Sequence, residues 1–220
     1  MKKIYISPSS QTENLYAAGN TNEAAQCRKI AVKLVEALGR CGFAAMTNTE
    51  EGKTMYDRVA ESNAWGADAH IPVHTNAFNG AVAGFRGFYF SQSSEGYKLV
   101  TDIENAVAPI TPGESDGLSA QPGLYEVNNS NAPCAYLELG FHDNAEEAQY
   151  IIDHTEDLAE AICKGVCAHY GEAYIPPVVS TEGVKLYRVQ VGAFSKYENA
   201  QNMLDKVKVL GFSDAFIKKG

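Results

Sequence analysis

Ala69-His70-Ile71-Pro72-Val73-His74-Thr75-Asn76 is the stretch that decides the fold. Residues 69–74 are apolar with little alternation, the pattern of a strand buried on both faces. Such a strand belongs in a parallel sheet covered by helices. Upstream, residues 2–7 read as a short strand ending at Ser7-Pro8-Ser9, followed by a polar loop over 8–21. From Glu23 to Leu38 the apolar Ile30, Ala31, Leu34, Val35 and Leu38 recur at helical spacing, and Gly39 and Gly42 stop the helix. Residues 43–46 read as a second strand and 54–65 as a second helix. Downstream come a strand over 86–91, a helix over 94–107, a buried strand over 134–140 and one last helix over 145–169. The βαβαβ order predicts an α/β domain with a mostly parallel sheet flanked by helices over residues 1–170. Residues 109–133, rich in Pro, Gly, Ser and Asn, read as a long loop forming one wall of a substrate groove.

The composition fits a folded chain. Of 220 residues, 45% are hydrophobic and 20% charged, enough apolar surface for a core without disulfide staples. No run approaches the ~18 apolar residues of a membrane span, so no membrane insertion is expected. Pro8 ends the first apolar run too early for a secretory signal, so the sequence reads as made in the cytoplasm. Residues 1–184 carry 11 Lys and Arg against 24 Asp and Glu; residues 185–220 carry 7 against 3. The acidic body argues against nucleic acid as a partner. Five cysteines without a CxxC pair predict neither a disulfide framework nor a cysteine metal site. Cys163 and Cys167, one helical turn apart, read as small apolar packing residues.

Chemistry is sought where strands end, because ligands of open α/β sheets bind at the carboxyl edge. Ser9, Ser10 and Gln11 follow the first strand, and His74, Thr75 and Asn76 end the third. Glu138 lies just before Gly140-Phe141-His142, and Glu23 opens the first helix. A His and a Glu brought together there can hold a divalent cation, with a second carboxylate to take a proton from water. The competing reading makes His74 a satisfied core residue. His70 shares the strand face of His74 but lies ~13 Å away along an extended chain, too far to share one ion.

Four segments carry a resemblance: Ile4-Tyr5-Ile6-Ser7-Pro8-Ser9-Ser10-Gln11; Glu23 with Ile30-Ala31; Pro72-Val73-His74-Thr75-Asn76-Ala77; and Leu137-Glu138-Leu139-Gly140-Phe141. Over residues 2–170 they resemble, in order, the motifs of zinc-dependent N-acetylmuramoyl-L-alanine amidases of the Amidase_3 type. The resemblance implies cleavage of the amide between N-acetylmuramic acid and L-alanine of the peptidoglycan stem peptide, with Zn²⁺ as cofactor. It makes Glu23 and His74 metal ligands and Glu138 the catalytic glutamate. The family has a histidine in the first loop, where this chain reads Ser9-Ser10-Gln11. Gln11, with its carbonyl oxygen and longer reach, is favoured over Ser10 as the third ligand. Asn76 and His142 are the candidate substrate contacts, and His142 is also a candidate ligand. The alternative is a silent peptidoglycan-binding protein with a degenerate metal site.

Residues 171–184, with Pro176, Pro177, Ser180 and Gly183, read as a linker. Beyond it, residues 186–192 alternate as a strand, 195–210 repeat as a helix and 215–217 read as a closing strand. Leu186 to Phe194, then Glu198-Asn199-Ala200 and Gly211-Phe212, resemble the first half of a SPOR domain, a peptidoglycan-binding module. One such half exposes an apolar sheet face around Val189 and Val191, which predicts a homodimer through residues 185–220. An endolysin-like release to the cell wall is the expected route to substrate.

Overall fold

Six strands hydrogen-bond in the order β2-β1-β3-β6-β4-β5: β1 Lys3–Pro8, β2 Ala44–Thr47, β3 Ala69–Asn76, β4 Arg86–Tyr89, β5 Gly117–Ala120 and β6 Tyr136–Phe141. The computed structural model describes residues 1–177, 189–212 and 215–218. It divides into two units, Met1–Pro177 and Val178–Gly220. In the first unit the helices are α1 Glu23–Arg40, α2 Met55–Trp65, α3 Glu95–Val107, α4 Tyr125–Asn129, α5 Ala145–Asp153 and α6 Thr155–Tyr170.

The predicted α/β architecture is present. β1 pairs in parallel with β2 and β3, β3 with β6, and β4 with β5; only β4 and β6 run antiparallel among the described strands. The reversal follows from chain length. Residues 77–85 are too few for a crossover, which needs a dozen or more, so β4 returns antiparallel. β6 arrives later and fills the place beside β3.

Strand parity sorts the side chains. Ile4 and Ile6 of β1, Ile71 and Val73 of β3, and Leu137 and Leu139 of β6 enter one core with Cys27, Ile30, Leu34 and Leu38 of α1. α3 and α6 supply Leu99, Ile103, Ile162 and Val166 to the same core. The alternate residues belong to the opposite face. Tyr5 donates to Glu61 of α2 at 2.7 Å, and Ser7 donates to Glu126 of α4. His70, His74, Tyr136 and Glu138 share this parity.

Three expectations are corrected. The helix expected over 145–169 is two helices broken at His154 (φ −113°, ψ 30°). Asp153, His154 and Thr155 are poor helix formers, and the Thr155 hydroxyl bonds back to the Ile151 carbonyl at 3.4 Å. The loop expected over 109–133 contains β5, α4 and the end of a 3-10 turn, Ala108–Ile110. Residues 174–175, read as linker, pack on the first unit. Tyr174 donates to Glu160 at 2.7 Å, and Arg40 donates to the Ile175 carbonyl at 2.8 Å.

Glycine is required at Gly84 and Gly140. Gly84 (φ +111°) passes so close to Glu114 that a Cβ would sit 1.8 Å from its carbonyl oxygen. Glu147 of α5 accepts from Gly84 N–H at 2.9 Å and Phe141 N–H at 2.7 Å, and a Cβ on Gly140 would crowd that carboxylate at 3.1 Å. This clamp ties the loop after β3 to the end of β6.

In the second unit, α7 Tyr197–Val209 is the expected helix. The expected strand over 186–192 lies partly outside the described residues. Its described part, 189–192, and residues 215–217 pair with no strand among the described residues.

Candidate active site

β1, β3 and β6 all end at one edge of the sheet, and their last residues build the site. Parallel pairing sets His74 of β3 in register with Glu138 of β6 and Pro8 of β1 with Val73. The register shifts between His74 and Asn76, an irregularity that re-aims side chains at a strand end. α1 starts at the same edge. Asn22 caps it by accepting from Ala25 N–H at 2.9 Å, and Glu23, its first residue, is buried.

Glu23 Oε1 lies 2.9 Å from His74 Nδ1. Asn14 donates to the other Glu23 oxygen at 2.6 Å and to Gln11 Oε1 at 3.0 Å. The amide nitrogen of the exposed Gln11 faces His74 Nδ1 at 3.4 Å. Glu23, His74 and Gln11 are therefore neighbours. Ser10 is not among their hydrogen-bond partners in the described residues. The His74 ring stacks on Tyr136, with centroids 4.6 Å apart.

Glu138 Oε2 is buried and has no hydrogen-bond partner among the described residues. Burial pushes its carboxyl up to about 8, with the charge of Glu23 adding to the shift and His74 opposing it. Burial works against a charged His74 ring, yet Glu126, Glu23 and Glu138 around it outweigh that and lift it to about 10. Burial also opposes ionisation of Glu23, but the bond to His74 lowers its carboxyl overall.

The donor set fits a divalent cation. Two ligands each ~2.0–2.1 Å from one zinc lie roughly 3 Å apart, close to the observed Glu23–His74 separation. The nitrogen and carboxylate donors are those zinc takes, and the orphaned Glu138 oxygen offers a proton acceptor beside them. Gln11 offers its oxygen only if the amide turns over. Asn14 would then still be satisfied by Glu23.

Asn76 is half-buried, and its Oδ1 accepts from Ala77 N–H at 2.8 Å. His142 is buried. Its Nδ1 lies 3.0 Å from both Oγ1 and O of Thr75, and its ring stacks on Tyr16.

The sequence reading passed over Glu126. This α4 residue is only 2% exposed. Its Oε1 accepts from Ser7 and lies 3.2 Å from His70 Nε2, while Oε2 lies 3.6 Å from His74 Nε2. Burial opposes its ionisation, but His70 and His74 hold its carboxyl down at about 2. The available signal was strand parity, which puts Ser7, His70 and His74 on one face; no motif marks a glutamate in a presumed loop.

The family model described as N-acetylmuramoyl-L-alanine amidase (Amidase_3) matches residues 4–168, and the SPOR domain model matches 158–219. A sporulation-specific N-acetylmuramoyl-L-alanine amidase of Bacillus subtilis (strain 168) is 22% identical over 231 residues, covering 100% of this chain and 86% of the relative. The catalytic domain of CwlV, an N-acetylmuramoyl-L-alanine amidase from Bacillus (Paenibacillus) polymyxa var. colistinus, superposes with TM-score 0.70 at 17% identity. That match covers 78% of this chain and 99% of the other. The catalytic domain of an endolysin targeting Clostridia difficile superposes with TM-score 0.65 at 23% identity, covering 76% and 98%. With a match over most of its length and this fold, the chain belongs to the Amidase_3 family of N-acetylmuramoyl-L-alanine amidases: it is a peptidoglycan amidase carrying a C-terminal SPOR domain.

Proposed function

We propose that the amidase is zinc-dependent, with Glu23 and His74 holding the ion, Gln11 completing the shell and Glu138 acting as the catalytic acid–base. A bound zinc supplies polarisation of the scissile carbonyl and acidification of a water. The proton movements fall to Glu138. In its ionised form it accepts a proton from the attacking water and returns it to the leaving amine of L-alanine. Asn76, at the end of β3, contacts the substrate, and His142 is held against Thr75. The observation that carries the reading is the buried, unpartnered Glu138 Oε2 beside the Glu23–His74 pair. The family match favours this enzyme over a silent wall binder.

The test is release of stem peptides from purified peptidoglycan. Zinc should support release, EDTA should stop it and added zinc should restore it. New reducing sugars without free peptides would overturn the assignment in favour of a glycosidase.

The wall-degrading role we propose is endolysin-like lysis, with residues 185–220 pairing two copies on the wall. Val189 and Val191 are exposed, at 90% and 60%, and supply apolar surface for pairing. Light scattering should give a dimer for the full chain and a monomer for one shortened to Pro177. The match of a sporulation amidase along the whole chain favours a second reading, remodelling of spore-associated wall. Comparing release from vegetative and spore peptidoglycan separates the two.

A further inference from the structure

We propose that Glu126 is a positioning residue for this centre: its carboxylate takes the Nε2–H of His74 and so fixes Nδ1 as the nitrogen that gives up its proton to a cation held beside Glu23. The assignment rests on the metal reading above and concerns the side of the ring facing away from the ion.

The geometry separates the two ring nitrogens. Nδ1 faces Glu23 and Gln11 at 2.9 and 3.4 Å, the side open to solvent through Gln11. Within 4.0 Å, Nε2 meets one described carboxylate, Glu126, at 3.6 Å, an ion-pair distance a small side-chain adjustment short of a hydrogen bond. Glu126 Oε1 is already engaged by Ser7 and by His70 Nε2. The oxygen left over is the one that meets His74. His70 Nδ1 has no partner among the described residues, which places the His70 proton on Nε2, where the carboxylate receives it. Ser7 and both histidines thus point donors at one buried carboxylate, and no competing donor is needed to hold its charge.

The rings are held as well. Tyr5 stacks on His70 at 5.6 Å and Tyr136 on His74 at 4.6 Å. The ~13 Å of strand between the two histidines is therefore bridged by one carboxylate, and α4 exists at the right place to supply it. A carboxylate behind a ligating histidine fixes its tautomer and raises its basicity, and losing it commonly costs 10–100-fold in metal affinity.

The test compares the full-length wild type with Glu126→Gln and Glu126→Leu, reading zinc affinity by competition with a chromophoric chelator. In Glu126→Gln the amide oxygen keeps the Ser7 and His70 bonds. Its NH₂ then faces His74 Nε2, donates to it and drives the ring proton onto Nδ1. A packing role predicts that the isosteric Gln is harmless and Leu is not. Positioning predicts that Gln weakens zinc binding by on the order of 10–100-fold with an unchanged melting profile. The ring ¹⁵N spectrum of the zinc-loaded wild type gives a second readout that needs no variant, and the His74 proton is expected on Nε2. Zinc affinity of Glu126→Gln within about twofold of wild type overturns the proposal, as does a loaded wild type carrying that proton on Nδ1. A wild type that takes up no zinc overturns the metal reading and this assignment together.

Discussion

Two places in the first unit gather ligand-type side chains, and they differ in what surrounds them. At the carboxyl edge of the sheet, Glu23, His74 and Glu138 meet, with the solvent-exposed Gln11 beside them. Between the end of α1 and α6, the sulfurs of Cys41, Cys163 and Cys167 lie within 4.8 Å of one another, all buried. In the first cluster the charges of Glu23 and His74 face each other, while burial pushes Glu138 up to about 8. In the second, burial pushes the Cys163 thiol well up and Cys167 to about 11, and Cys41 adds to both shifts. Among the described residues three donors lie within 4.8 Å of one another in the second place and not in the first, whose close pair is Glu23 and His74 at 2.9 Å. Only the first offers an ionised carboxylate, Glu23; in both, a binding cation has to displace protons, from His74 in the first and from the thiols in the second.

The sharpest way to break this contrast is to remove the proposed base. Glu138→Gln should keep zinc but lose on the order of 10²–10⁴ in peptide-release rate, since an amide cannot accept the water's proton. Zinc content and turnover measured on one preparation check this, and loss of both together would make Glu138 a ligand instead. Next is the shell. Gln11→Ala should weaken zinc binding on the order of tenfold, and Gln11→His should strengthen it, because imidazole is a better zinc donor than a carboxamide. Unchanged affinity in Gln11→Ala would move attention to Ser10.

The contrast sharpens in the other cluster. Cys41→Ala should leave zinc stoichiometry intact and cost about 1 kcal/mol of stability, read by denaturant melts. A drop in bound zinc would mean the thiols are a metal site after all. The smallest effect is a slope with pH. In metal-free protein the raised His74 value gives stability that is complete below ~6.5 and lost as pH rises through about 10. Glu138, raised to about 8, adds a cost that grows from ~4.3 up through that value. Both slopes run the same way, so the melting temperature should fall from pH 6.5 to 9, and less steeply in Glu138→Gln.

Much of this was legible because the signals were local. The alternation of buried strand and amphipathic helix marked β1, α1, β2, α2, β3, α3 and β6. The turn residues after β1 and β3 marked the edge where Gln11 and His74 sit. What stayed hidden depends on distant parts of the chain. β5 (Gly117-Leu118-Ser119-Ala120) is a four-residue edge strand with one large apolar residue, and α4 is little more than a turn. Neither has the length to show a period. Glu126 could not be connected to His74 before α4 was placed. Cys41 could not be joined to Cys163 and Cys167 without knowing that α1 packs on α6.

The sheet order also sets a schedule. β6 sits between β3 and β4, although nearly sixty residues separate its start from the end of β3. As the chain leaves the ribosome, β3 has one open side until residue 141 has emerged, and Glu138 travels on the strand that closes it. The proposed catalytic base is therefore among the last pieces to arrive. An interrupted polypeptide would carry Glu23 and His74 without Glu138, along with an unpaired central edge prone to aggregation. For a hydrolase aimed at the wall of a living cell, that order makes incomplete chains inert.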